Sequence, residues 1–411
     1  MPNGMYGGVR GERKSPLLDC AILRIYMEKF NAGKTKYLKY VNWLLEKIIH
    51  EKHIKEPIDW NGVKEILLID YNAIGDVVML TPFLNTVREN APSAKITLVC
   101  RYLAEDVLSN QGLVDTFITS DRRWFSTRHH VLRDIFEALI TIHKCRRTNF
   151  DIALEPRGDL RDIYLMHFVK ANRKAGYTHT GGAYMMTDPV DADSNITHMI
   201  DEKMYFLKML GCAVEEGKFV PKLHLSKWQT VDNEKFLAAE GLKNQMIIGV
   251  HPAASLNLKE WDGFEDLIHR LHQEVQTARF LVFVDDRYSE RYLKLFEELE
   301  DIKEHCVFVY EDIRTYIQRV AVCDLMICND SSAGHIAAAY GIDVHVIFGP
   351  VLPELAKPYS EANVYTYENK EVQCRPCNIR GCEHQKECLK SISVDQVLKG
   401  VMNAMKERKE V

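Results

Sequence analysis

The stretch from Cys328 to Pro350, CNDSSAGHIAAAYGIDVHVIFGP, decides how the rest of the chain is read. Just before it, Asp324 to Cys328 is a short apolar run, and Asn329 to Ser332 is turn and N-cap chemistry. Gly334 to Tyr340 reads as a helix of small residues that Gly341 ends, and Val344 to Phe348 as a second buried strand. Such a βαβ unit points the N–H groups of Ser331 to Gly334 out of a helix N-terminus, where the positive end of the dipole favours phosphate. Ala337, Ala338 and Ala339 let that helix lie close against a sheet or a ligand. An ordinary βαβ unit with a capped helix has the same signature, so its surroundings must decide.

The preceding residues repeat the pattern. Met246 to His251 (MIIGVH) is a strand, the loop PAASLNLKEW leads to a helix from about Phe264, and strands follow at Phe280 to Val284 and Val307 to Tyr310. Lys259, just before Trp261, falls at the same carboxyl edge as Ser331 and Ser332, and a lysine beside a helix N-terminus makes a diphosphate clamp. The first half alternates likewise. Glu65 to Asp70 (EILLID), Lys95 to Cys100, Thr116 to Thr119 and Asp151 to Leu154 are strands, with a helix over Leu132 to Cys145. The expected fold is α/β, with two Rossmann-like doubly wound domains facing a cleft. After the first strand, YNAIGD holds one glycine, so the GxGxxG dinucleotide fingerprint is absent and a nicotinamide or flavin site is not expected. Asp76 there either caps a helix or serves as a general base facing the cleft. Arg122, Arg123 and Arg128, interleaved with Trp124 and Phe125, form either a solvated face or a patch gripping an anionic acceptor.

At 411 residues the chain suits two domains plus extras. A net charge of −5 gives no positive field to steer it to nucleic acid. No apolar run is long enough to span a bilayer and no signal-peptide pattern opens the chain, so the expectation is cytoplasmic. The apolar residues from Lys34 to His53 fall at helical spacing with lysines opposite. That basic amphipathic helix either packs on the first domain or rests on an anionic membrane surface, a peripheral contact with the inner membrane. The expected division is a helical extension at 1–60, an acceptor domain at 61–225, a donor domain at 226–370, a cysteine knuckle at 371–390 and a C-terminal helix at 391–411.

Of eleven cysteines, seven are scattered as reduced core thiols, and Cys374, Cys377, Cys382 and Cys388 are clustered as C-x2-C-x4-C-x5-C. This spacing suits a structural Zn or Fe site with no open position, against free thiols or disulfides.

Ile74-Gly-Asp-Val-Val78 with Thr81-Pro82, Arg173 to Tyr177, His251-Pro252 with Lys259 and Trp261, Asp330-Ser331 with His335, and Phe348-Gly349-Pro350 together resemble family 9 glycosyltransferases, the lipopolysaccharide heptosyltransferase family. The likeness runs in order from about residue 62 to 400. It implies a GT-B fold and an inverting transfer needing no catalytic metal, from a nucleotide-sugar donor, ADP-heptose favoured, to a glycolipid acceptor in the lipopolysaccharide inner core or a related surface glycan. By the resemblance, Asp76 matches the general base and Lys259 the lysine on donor phosphate. Asp330 matches a contact to the donor sugar, Ser331, Ser332 and His335 the phosphate loop, and Glu290 a contact to the nucleoside. It also implies that the C-terminal helix crosses back to the first domain. The chain departs from the family pattern at Asp70, usually Arg, and at Ser332, usually Gly. A protein acceptor such as an adhesin, or a non-catalytic sugar-nucleotide scaffold, are the alternative readings.

Overall fold

The computed structural model describes residues 42–120, 131–284, 295–377 and 382–410, apart from residues 216, 218 and 296. Its apolar runs form two six-stranded parallel sheets. The first takes β1 (Glu65–Ile69), β2 (Lys95–Cys100), β3 (Thr116–Thr119), β4 (Phe150–Glu155), β5 (Ala171–Tyr177) and β6 (Asp188–Val190), in the order β3-β2-β1-β4-β5-β6. The second takes β7 (Met246–His251), β8 (Ala278–Phe283), β9 (Cys306–Val309), β10 (Leu325–Asn329), β11 (Asp343–Ile347) and β12 (Val364–Tyr367), in the order β12-β11-β10-β7-β8-β9. Central strands such as Ile66 to Ile69 and Met326 to Cys328 are buried throughout, because helices cover both faces of a parallel sheet. In each sheet the strand order reverses once, between β1 and β4 and between β7 and β10. Open α/β sheets hold ligands at the carboxyl ends of such a pair.

Short helical turns aside, the first half carries α1 (Ile74–Val78), α2 (Thr81–Asn90), α3 (Tyr102–Leu108), α4 (Val131–Cys145), α5 (Leu160–His167) and α6 (Met199–Met209). The second carries α7 (Lys227–Ala239), α8 (Phe264–Glu274), α9 (Ile313–Val320), α10 (Ser332–Ala339) and α11 (Val394–Glu410). One apolar cluster runs through both halves, joining Val77 and Val78 of α1 to Ile336 and Ala337 of α10.

Two local expectations change. The basic amphipathic stretch is helical only at residues 42–46 among those described. Beyond it the backbone is drawn into extended form by bonds from Glu51 N–H to the Tyr184 carbonyl (2.8 Å) and from Ile54 N–H to that of Thr187 (2.9 Å), which replace helical bonds. The C-terminal helix α11 does not return to the first half in its described side chains. Val397, Val401 and Met405 are buried in a cluster drawn wholly from the second half, with Phe264 and Leu271 of α8.

The halves are also clasped by His198 and Tyr359. His198, the N-cap of α6, accepts from Ile200 N–H at Nδ1 (3.2 Å) and donates from Nε2 to the Lys357 carbonyl (2.9 Å). Its ring stacks on Tyr359 with centroids 3.9 Å apart, and the Tyr359 hydroxyl donates to Asp201 (2.9 Å). Burial pushes the His198 pKa from 6.5 down to about 4. Because the folded pKa lies below the unfolded one, the unfolded chain takes up the proton first, and stability is lost as pH falls from 6.5 towards 4. This group should contribute up to about 3 kcal/mol of that loss. Urea unfolding at pH 7 and at pH 4.5 should show His198→Gln less stable than wild type at neutral pH, with a smaller loss on acidification.

Candidate active site

The two carboxyl-edge crevices are brought together by α1 and α10. A Cβ added at Gly75 would lie 3.0 Å from His335 Cδ2 and 3.5 Å from Ser332 Cα, so glycine permits this approach. Asp76 follows in the first turn of α1, half-buried, where a carboxylate complements the helix dipole. His335 feels the charges of Asp330, Asp76 and Lys259. Four of the residues singled out in the sequence therefore converge on one place.

Lys259 Nζ lies 2.6 Å from Asp330 Oδ2, with side chains 15% and 9% exposed. Burial pushes the His335 pKa down, and Lys259 pushes the same way against Asp330 and Asp76, so the ring is neutral at pH 7. Ser331 is the N-cap of α10, in extended backbone with no side-chain capping bond. Among the described residues, Ser331 Oγ and His335 Nδ1 are buried without a hydrogen-bond partner. Ser332 opens the helix itself. A helix N-terminus, two unpartnered polar atoms and an ammonium on one spot suit an anion carrying several acceptor oxygens.

The sequence did not mark what holds Lys259 in place. Asn329, fully buried, accepts from Trp261 N–H (3.0 Å) and donates to the Pro252 carbonyl (2.8 Å). Glu260 accepts from Ala254 N–H (3.2 Å), and the Trp261 indole donates to the Ile392 carbonyl (2.9 Å). In the sequence Asn329 is one turn residue among several. Its role depends on β10 lying beside β7.

The β1/β4 crevice holds a second group that the sequence reading did not assemble. Asp70 is 3.0 Å from Lys203 of α6, and both side chains are almost wholly buried. Glu155 accepts from the N–H groups of Gly158 (2.7 Å) and Asp159 (3.2 Å), while burial, reinforced by Asp162, raises its pKa. Arg157 stands beside Asp162 at 3.4 Å. The partner of Asp70 is thus a lysine 133 residues away in the chain.

Arg122, Arg123, Arg128 and Glu290 lie outside the described residues. Cys374, Cys377, Cys382 and Cys388 are free thiols. Burial, then the neighbouring thiols, push Cys377 up to about 11. Lys386 N–H donates to Cys382 Sγ (3.3 Å). Among the described residues, no group of three or more His, Cys, Asp or Glu side chains is gathered closely enough to hold a metal ion.

Against known proteins, residues 139–387 match the model of glycosyltransferase family 9 (heptosyltransferase). The chain is a family 9 glycosyltransferase. This glycosyltransferase is 23% identical over 346 residues to lipooligosaccharide heptosyltransferase 2 of Campylobacter jejuni serotype O:2, covering 81% of this chain and 96% of that protein. It is 28% identical to the serotype O:6 counterpart, covering 80% and 95%. Among solved structures, a family 9 glycosyltransferase from Veillonella parvula superposes with a TM-score of 0.70 at 19% identity, covering 85% of this chain and 99% of that one. ADP-heptose lps heptosyltransferase II of E. coli superposes at 0.67 and 18%, covering 84% and 99%. The fold is GT-B, as the resemblance implied.

Breaking the Asp70–Lys203 pair from one side strands a buried charge. Asp70→Ala should cost about 3–5 kcal/mol, and Asp70→Ala with Lys203→Met clearly less. A double-mutant cycle in urea checks this.

Proposed function

We propose that this glycosyltransferase moves heptose from ADP-heptose to a hydroxyl of a glycolipid, in the lipopolysaccharide inner core or a related surface glycan. The observation that carries the reading is the meeting of Asp76, from one half, with Lys259, Asp330 and His335 from the other. The names of its relatives supply the sugar.

In this mechanism the diphosphate lies at the N-terminus of α10, against the N–H groups there, Ser331, Ser332 and His335. Lys259 balances the charge that grows on it as the glycosidic bond breaks. Asp330 orients Lys259 and contacts the donor sugar. The Asp76 carboxylate accepts the proton of the acceptor hydroxyl, whose oxygen attacks the anomeric carbon opposite the departing diphosphate, so configuration inverts. We assign Glu290 to the donor nucleoside and Arg122, Arg123 and Arg128 to the anionic acceptor. We place the reaction on the cytoplasmic side of the membrane. No described helix is long and apolar enough to cross a bilayer.

For the four cysteines we propose a structural Zn or Fe. The donor set fits: four free thiols on one short segment, with mutual repulsion that a cation would reverse. Four thiolates leave no open position, so its place is in holding the loop. Elemental analysis of protein purified without chelators should find about one metal per chain, lost in Cys377→Ser. A metal-free wild type would refute it.

Asp76→Asn should lower kcat about 10²- to 10⁴-fold with donor affinity unchanged. Lys259→Ala should weaken both donor affinity and kcat. The check is transfer from ADP-heptose followed by mass spectrometry, with donor binding by calorimetry. Full activity in Asp76→Asn would remove the general base from the scheme.

A further inference from the structure

α4 is amphipathic in an unusual sense. One face, with Asp134, Ala138, Thr141 and Cys145, is buried against the first sheet. The opposite face, where a surface helix carries polar residues, shows Ile135, Phe136, Leu139 and Ile140 at 46%, 64%, 58% and 39% exposure. The short helix at 42–46 adds Trp43, Leu44 and the following Ile48, exposed by 50%, 38% and 76%. Its inward residues Leu45 and Ile49 join the same apolar cluster as Ile142 and Cys145 of α4. Half of the large hydrophobic side chains exposed among the described residues lie in these two segments. Scattered apolar residues are ordinary, but a concentration on one layer marks a contact surface.

The exposed charge around it is mostly positive. Lys47, Lys52, Lys55, Lys144, Arg146 and Arg147 are exposed on residues 42–55 and 134–147, against one exposed carboxylate, Glu46, and two half-buried ones, Glu51 and Glu137. Lys47 Nζ sits 3.7 Å over the Trp43 ring, an apolar body with a cation at its tip. This lies on a chain whose net charge is −5. A second copy docking by the same face would set these cations against one another. An anionic bilayer satisfies both the apolar residues and the lysines and arginines around them.

We propose that α4 and the 42–48 segment form the face by which this protein docks on an anionic lipid surface. Ile135, Phe136, Leu139, Trp43 and Ile48 enter the acyl boundary and the flanking cations meet the headgroups. α4 follows β3, so its N-terminal end lies at the carboxyl edge of the first sheet, where the cleft opens. Docking by this face holds the cleft beside the bilayer. The purpose rests on the glycolipid acceptor proposed above, whereas the docking itself is measured without donor or acceptor.

The test is flotation of the full chain with large unilamellar vesicles of phosphatidylcholine alone or with about 30 mol % phosphatidylglycerol. Wild type should bind the anionic vesicles, at least about tenfold tighter than the neutral ones. Phe136→Ser with Leu139→Ser should lose at least about tenfold in binding, with an unchanged unfolding midpoint because both positions are exposed. Lys144→Glu with Arg147→Glu should abolish the preference for anionic lipid. Wild type that ignores both vesicles, or binding unaltered by the serine pair, overturns the proposal. So does a wild-type dimer that the serine pair turns into monomer, which would give the face to a second copy.

Discussion

The close packing of Gly75 against the His335 ring is the contact on which the site depends. Each half is a sheet with its own helices, and neither contains a complete set of reacting groups. Asp76 belongs to one, Lys259, Asp330 and His335 to the other. They share a place because α1 presents no side chain at the point where α10 arrives. The apolar cluster running through both helices then fixes that approach. A bulkier residue would push the carboxylate away from the lysine and the helix N-terminus together.

Around this contact, charge and burial are balanced unequally. Lys259 and Asp330 neutralise one another while still reaching solvent, and Asn329 and Glu260 hold the loop by backbone bonds rather than by further charge. Ser331 and His335 are left with unused hydrogen-bonding capacity. Two unpartnered polar atoms beside a helix N-terminus and an ammonium suit an anion. In the other crevice the Asp70–Lys203 pair is closed from solvent, so its work is to hold α6 on the sheet edge.

Nine of the twelve described strands and the carboxyl-edge loops were readable in the chain, because unbroken apolar runs between turn residues are what a sheet covered on both faces requires, whereas β5, β6 and β12 carry no such run. Asp76, Lys259, Asp330 and Ser331 were readable too, since each stands in the connection that follows such a run. The short extent of the 42–46 helix was not. Periodicity records which residues can face a core, but the bonds to Tyr184 and Thr187 that end the helix come from residues more than 130 positions away. Likewise α11 stays with the second half because its apolar face fits Phe264 and Leu271, a match of surfaces that helical spacing does not encode.

The order of residues along the chain determined most of the elements and the chemistry offered at the strand ends it marked, because these follow from local pattern and spacing, whereas the reversal point in each sheet came from the fold. Which of those offerings meet was decided by the fold. Lys203 reaches Asp70, Asn329 ties down the loop of Lys259, and α4 turns an apolar face outward. Each depends on distances between segments far apart in sequence, set when the sheets close and the two halves pack.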